Sequence, residues 1–171
     1  MTAFATDENE WQRLDLRILQ NGPVVLYFRS KILSEDIAWL QNEGYLIDDF
    51  DCTKWHSESD FHNDVATRLA FPDYYGHNLN AFNDCITDLD VPDGGGRAIV
   101  VRRFDLFAQK EPRVAQDILD IMASASWHSI LFGRRLLTLV QSDNPRIAFD
   151  PVGARPAIWN PREWLNKNRE L

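Results

Sequence analysis

Apolar residues along this chain fall into two patterns: short continuous runs, and stripes spaced three and four residues apart. The continuous runs predict strands. GPVVLYFRS (22–30) is β-branched and opened by Gly-Pro; YLIDDFDC (45–52), RAIVVRRF (97–104) and GRRLLTLVQS (133–142) follow it. RIAF (146–149) and AIW (157–159) are shorter strand-like pieces separated by a Pro/Gly turn region. The stripes predict helices. LSEDIAWLQNEG (33–44) offers Ser34 as N-cap, acids in its first turn, Ile37, Leu40 and Trp39 facing inward, and Gly44 as the stop. SESDFHNDVATRLA (57–70) spaces Phe61, Val65 and Leu69 at i, i+4, i+8, and Pro72 ends it. A helix over 78–89 and a short one over 104–110 come next. EPRVAQDILDIMASASW (111–127) then has Pro112 in its first turn and a stripe through Val114, Ile118, Ile121, Met122 and Ala125. NPREWLNKNREL closes the chain as a helix with Pro161 in its first turn. EWQRLDLRIL (10–19) mixes both periods and fits helix or strand. Residues 1–10 are expected to be a mobile acidic tail, and DVPDGGG (90–96) a loop.

Strands separated by helices of this length imply right-handed crossovers, hence a mostly parallel sheet flanked by helices. No internal repeat interrupts the order, so the expectation is one α/β domain over residues 1–171. Its length of 171 residues and its 44% hydrophobic content suit a single core of that size. No window approaches the ~20 apolar residues of a membrane span, and the acidic N-terminus is unlike a secretion signal, so the expected location is cytoplasmic.

The net charge of −8 excludes an ordinary nucleic-acid binder, which needs a basic stripe against phosphates, and suits a basic protein partner. Chemistry-bearing patterns are absent. DGGGR (93–97) precedes a strand and has no phosphate-loop spacing, and no GxSxG or HExxH occurs. His56, His62, His77 and His128 show no metal-ligand spacing; His62 and His128 are expected to be surface imidazoles. Cys52 and Cys85 form no CxxC pair, and Cys85, on the apolar side of its helix, is expected to be a buried free thiol. An enzyme using His77 with Asp73 or Asp84 is the weakest reading, and no cofactor or metal is expected.

One stretch departs from scaffold: FPDYYGHNLNAFNDC (71–85). On a helical wheel Leu79, Phe82, Ile86 and Leu89 make an inward face, while Asn80, Asn83, Asp84 and Thr87 make another, flanked by Tyr74 and Tyr75 in the preceding loop. This is either a solvated helix side with a tyrosine tucked against it or a surface for a partner. Asparagine is a poor helix former, so two of them hint at selection for something other than helix stability.

The run DFHNDVATRLAFPDYYGHNLNAFNDCITDL (60–89) closely resembles the segment that defines the barstar family of ribonuclease inhibitors. Pro72, Asp73, Tyr74, Tyr75, Gly76, Asn78, Leu79, Ala81, Asp84 and Cys85 fit its pattern. The resemblance covers about residues 44–142 and leaves an N-terminal extension (1–43) and a C-terminal extension (143–171), an enlarged form of the fold. It implies an inhibitor that plugs the active site of a small basic ribonuclease or toxin nuclease domain, with Asp84 in place of a substrate phosphate and Tyr74 packed on the nuclease. Tyr75, Gly76, Asn78, Asn80, Asn83 and Thr87 complete the implied partner-binding set. An intracellular immunity protein is the corresponding role. The chain departs from the family pattern at Asn80, where an aspartate is expected, and at Asn83, where a tryptophan is. A later interface glutamate aligns with Ser124. These departures leave open a binding module with a different, non-nuclease partner.

Overall fold

Ala98, Ile99, Val100 and Val101 are wholly shielded from water in the computed structural model, which describes residues 12–164. They lie in β3 (Gly96–Arg102), and a strand buried on both sides needs cover on both. With β1 (Val24–Tyr27), β2 (Tyr45–Asp51), β4 (Leu136–Gln141) and β5 (Ile158–Trp159) it forms a five-stranded sheet in the order β2-β3-β4-β1-β5. Every pairing is parallel. Among the described residues the helices are α1 (Leu14–Asn21), α2 (Ser30–Asn42), α3 (Glu58–Arg68), α4 (Leu79–Thr87), α5 (Phe104–Lys110), α6 (Pro112–Leu131) and α7 (Pro161–Trp164). The expected α/β fold, a parallel sheet flanked by helices, is therefore observed. The segment of mixed period, 10–19, resolves into α1.

Alternate strand residues serve opposite faces. Val24, Leu26, Ile99, Val101, Leu136 and Val140 pack in one core with Phe61, Phe82, Phe104, Phe107 and Ile118 from α3 to α6. Val25, Tyr27, Ala98, Val100, Leu137 and Leu139 pack in a second core with Leu16, Leu19, Leu33 and Leu40 from α1 and α2. Trp55 stands edge-on to Phe61 and Phe107, with centroids 5.2 and 5.5 Å apart, and its indole N–H donates to Asp64 at 2.8 Å. At the β2 edge Arg97, Arg102 and Arg103 pair with Asp48, Asp49 and Asp51 at 2.6, 2.7 and 3.0 Å. Charge on an edge strand discourages pairing with another chain.

Three expectations are corrected. The second helix starts at Ser30, four residues before Ser34, and no local side chain caps it. The turn that leads into it is held from a distant part of the chain: buried Glu163 accepts from the N–H groups of Phe28 and Arg29 at 3.0 and 2.8 Å. RIAF (146–149) is not a strand. The segment is held by α6 instead, with Gln116 donating to the Asp150 carbonyl at 3.1 Å and accepting from its N–H at 3.0 Å, while Phe149 lies 6.0 Å from Phe104. The helix expected over 111–127 continues to Leu131 and stops before Gly133, whose φ of 72° is left-handed. The expected tail (1–10) and the end of the closing helix lie outside the described residues.

The C-terminal segment is stapled to β1 and α2 by buried polar groups. Asp36 accepts from Tyr27 Oη and Asn160 Nδ2, both at 2.8 Å, and Arg162 reaches its other oxygen at 3.3 Å. Glu163→Ala would leave two N–H groups without acceptors. It is expected to lower stability by about 1–3 kcal/mol, measured as a shift of the urea midpoint at unchanged slope.

Candidate functional site

The loop ahead of α4 is anchored at both ends by its own sequence. Ser57 and Asp60 form a reciprocal capping box that starts α3. The helix leaves through Ala70 at φ 52°, with Phe71 N–H donating back to the Ala66 carbonyl at 2.9 Å. That is the left-handed exit usually made by glycine, so an alanine here carries backbone strain. Pro72 follows and accepts from Tyr75 N–H at 2.8 Å, closing a tight turn. His77, again left-handed at φ 46°, leads into Asn78, whose Oδ1 caps α4 by accepting from Ala81 N–H at 2.9 Å. Asn78 also donates from Nδ2 to the Gly76 carbonyl at 3.1 Å, so its side chain serves the loop itself. Gly76 is exposed, and a Cβ there would stand 3.0 Å from Asn78 Nδ2.

The two adjacent tyrosines point in opposite directions. Tyr74 is 87% exposed and Tyr75 only 6%. Tyr75 packs on Phe71 and His77, at 5.0 and 4.9 Å between centroids, and its hydroxyl meets His62 Nδ1 at 2.5 Å. It therefore supplies packing that holds the loop, and Tyr74 supplies the outward surface. His62 is buried, which corrects the expectation of a surface imidazole: its helix face turns to the loop because Tyr75 needs a polar partner inside. The tautomer that satisfies both neighbours accepts from Tyr75 at Nδ1 and donates from Nε2 to Glu58 at 3.2 Å. Burial first, then the neighbouring His77, hold His62 below the usual imidazole pKa, against an opposing pull from Glu58. Burial likewise pushes the Tyr75 hydroxyl up.

On α4, Phe82 and Ile86 are buried while Asn80, Asn83 and Asp84 are exposed and Thr87 is half-buried. The wheel is thus realised, with one correction. Cys85 is half-buried at the helix flank, because the neighbouring loop leaves an open groove there. Burial, then Asp84 and Asp88, raise the Cys85 thiol above its usual value, the reverse of what a nucleophile requires. Ser124 is exposed on α6, and His128 is exposed as expected.

The groove has a volume of about 440 Å³ and runs between the Phe71–Tyr74 loop and the C-terminal half of α4, where Asp84, Asp88 and Asp90 line it. Arg97 joins them, tied to the Asp90 carbonyl at 2.8 Å and to Asp48, a position that no local pattern in the sequence could reveal. The acids sit where the helix disfavours them. The last turn of α4 has no basic residue, and its free carbonyls make that end negative. A helix selected for stability alone would carry lysine or arginine there. The arrangement offers an outward aromatic, a carboxylate-lined groove and amide side chains, all of which suit the recognition of cations. Among the described residues no group of three His, Cys, Asp or Glu side chains could hold a metal ion.

Comparison with known proteins agrees with this geometry. The family described as "Barstar (barnase inhibitor)" matches residues 35–138, from α2 into β4, and so includes the tyrosine loop and all of α4. The Bacillus subtilis (strain 168) protein named "Putative ribonuclease inhibitor YrdF" is 35% identical over 65 residues, which are 37% of this chain and 67% of that protein. With more than half of its length matched, and with the parallel sheet and loop–helix unit in place, this chain belongs to the barstar family.

Proposed function

We propose that the protein inhibits a ribonuclease by covering its active site with the 72–78 loop and the exposed face of α4, Asp84 standing in for a substrate phosphate. The observation that carries this reading is Asp84 itself: an exposed carboxylate in the last turns of a helix whose dipole opposes it, beside the outward Tyr74. A carboxylate accepts paired, charge-assisted bonds from guanidinium groups, which a phosphate-binding active site provides. The catalytic groups belong to the partner, so this surface needs no base of its own. A net charge of −8 speeds encounter with a small basic nuclease, including a toxin nuclease domain that an immunity protein in the cytoplasm would neutralise. Tyr75, His62 and the Asn78 cap hold the loop in its binding shape before the partner arrives, which reduces the entropy lost on association.

A second reading, a module on the same fold for a different protein, is favoured by Asn80 and Asn83. Both are exposed on the face where the family pattern has an acid and a large aromatic. Such a face presents amide donors and acceptors in place of charge and apolar area.

Titration against a panel of small basic ribonucleases tests the first reading. Stoichiometric inhibition is expected, and Asp84→Ala is expected to weaken it by roughly 30-fold or more, about 2 kcal/mol. The same substitution is expected to leave the free protein equally stable or a few tenths of a kcal/mol more stable in urea, because it removes a charge the helix end disfavours. Unchanged inhibition in Asp84→Ala would remove that carboxylate from the role.

The loop anchor gives a pH dependence. His62 has a folded-state pKa below its unfolded value of about 6.5. The unfolded chain therefore binds the proton more readily, and the contribution of neutral His62 is complete above about pH 6.5. It is lost as pH falls from there through the folded-state value, when a protonated Nδ1 can no longer accept from Tyr75. Urea denaturation of the parent between pH 8 and 5 is expected to show that decline, and His62→Gln is expected to flatten it.

A further inference from the structure

Few large apolar side chains of this molecule are left in water. Among the described residues they are Leu46, Tyr74, Leu106, Leu131 and Phe132, and two of them, Leu131 and Phe132, are adjacent. The place of Leu131 and Phe132, at the end of α6, follows from the topology. α4 and α6 are the last helices before β3 and β4, so both run back against the parallel strands on the same face of the sheet. Their C-termini lie together at the edge where the strands begin, and Leu46 sits at that edge near the start of β2. Asp84 and Asp88 therefore stand at the same end of the molecule as Leu131 and Phe132.

The loops that leave the two helices are joined there. Asp93 pairs with Arg134 at 3.5 Å, and Arg97 N–H donates to the Arg135 carbonyl at 2.8 Å. Leu131 is 80% exposed and Phe132 66%, in tandem at the end of α6. The exposed His128 ring lies 5.0 Å from the Phe132 ring, so the aromatic has an ordered neighbour on one side and solvent on the other. Neither side chain serves the core. The inward face of this turn is already taken by buried Ser129 and half-buried Ile130.

We infer that Leu131 and Phe132 form a second contact on the nuclease that meets Tyr74 and Asp84, an apolar knob seated in an apolar depression beside that enzyme's basic active site. This rests on the inhibitor reading above. Charge decides between this occupant and a second copy of the chain. The knob is followed by Arg134, whose pairing with Asp93 joins it to the loop that carries Asp88, Asp90 and Asp93, on a protein of net charge −8. A symmetric dimer through it would bring together two chains that each carry a net charge of −8, whereas a basic protein meets the apolar tip and is drawn to the chain's net negative charge. The contact also adds aromatic and aliphatic area on a surface where Asn83 stands in place of the family's tryptophan.

The test compares three variants of the full chain against barnase and the other small basic ribonucleases of the panel: Leu131→Ser with Phe132→Ser, Leu106→Ser, and Asp84→Ala. All altered side chains are on the surface, and urea denaturation checks that each variant is folded. The double variant is expected to bind about 10- to 100-fold more weakly, mainly through faster dissociation, with Leu106→Ser unchanged. Parent-like binding by the double variant alongside weakened Asp84→Ala overturns this inference and leaves the inhibitor reading standing. Failure of the parent to bind any nuclease in the panel removes the inhibitor reading and this inference with it. Sedimentation supplies a further arm: a parent dimer that becomes monomeric in the double variant, with nuclease affinity unchanged, assigns the knob to self-association and overturns the proposal.

Discussion

The sheet's burial on both faces is the constraint from which the rest of the architecture follows. In β3 each successive residue from Ala98 to Val101 meets a different core, so neither face can be left open to water. Parallel connections then place α1 and α2 on one side and α3 to α6 on the other. Once Phe82 and Ile86 commit α4 to the sheet, its remaining surface has nowhere to go but outward. Asn80, Asn83 and Asp84 are left facing outward because the helix beneath them is fully employed. The rigidity of that platform comes from the same packing, since α4 lies over an aromatic cluster through the Phe61–Phe82 contact at 4.9 Å.

Two buried aspartates show how the terminal segments are secured, and why the same residue type behaves differently in each. Asp15, wholly buried, accepts from Tyr45 Oη at 2.8 Å and has Arg13 and Arg135 at 3.1 and 3.2 Å. Burial opposes its charge, yet the combined hydrogen bonds and guanidinium charges prevail, and its pKa stays below the usual range. Asp36 has Tyr27, Asn160 and a single, more distant arginine, Arg162, and for it burial prevails and the pKa rises. Burial, followed by these carboxylates, pushes the hydroxyls of Tyr27 and Tyr45 up. In each case a tyrosine donor inside the fold keeps an otherwise costly acid satisfied. The first strand, β1, is accordingly interior to the sheet, held between β4 and β5, with the C-terminal segment locked over it.

Local rules are broken in one neighbourhood more than elsewhere. Ala70 and His77 adopt left-handed backbone that favours glycine, asparagines occupy helix positions, and acids gather at the negative end of α4. Each is a small cost in stability. Their coincidence around the tyrosine loop supports the proposed binding surface, because a protein free to optimise its own helix would have chosen otherwise.

Much of this was legible in the chain itself. Continuous runs such as AIVV and the stripes of α3 and α6 declare their elements, because burial on two faces or one leaves a period that needs no partner to be seen. The Tyr-Tyr-Gly loop and the two-faced helix 78–89 were visible for the same reason. Contacts distant in sequence were not visible. That Glu163 holds the turn ahead of α2, that Gln116 takes the backbone of Asp150 from any strand, and that Arg97 lines the groove beside Asp84 are all decided by which segments the crossovers bring together. The tyrosines make the point most simply. The sequence by itself determined that two aromatics would stand side by side in a tight turn. Only the tertiary structure decided which faced inward, because that choice depended on a buried imidazole thirteen residues earlier, on a neighbouring helix, that needed a hydroxyl.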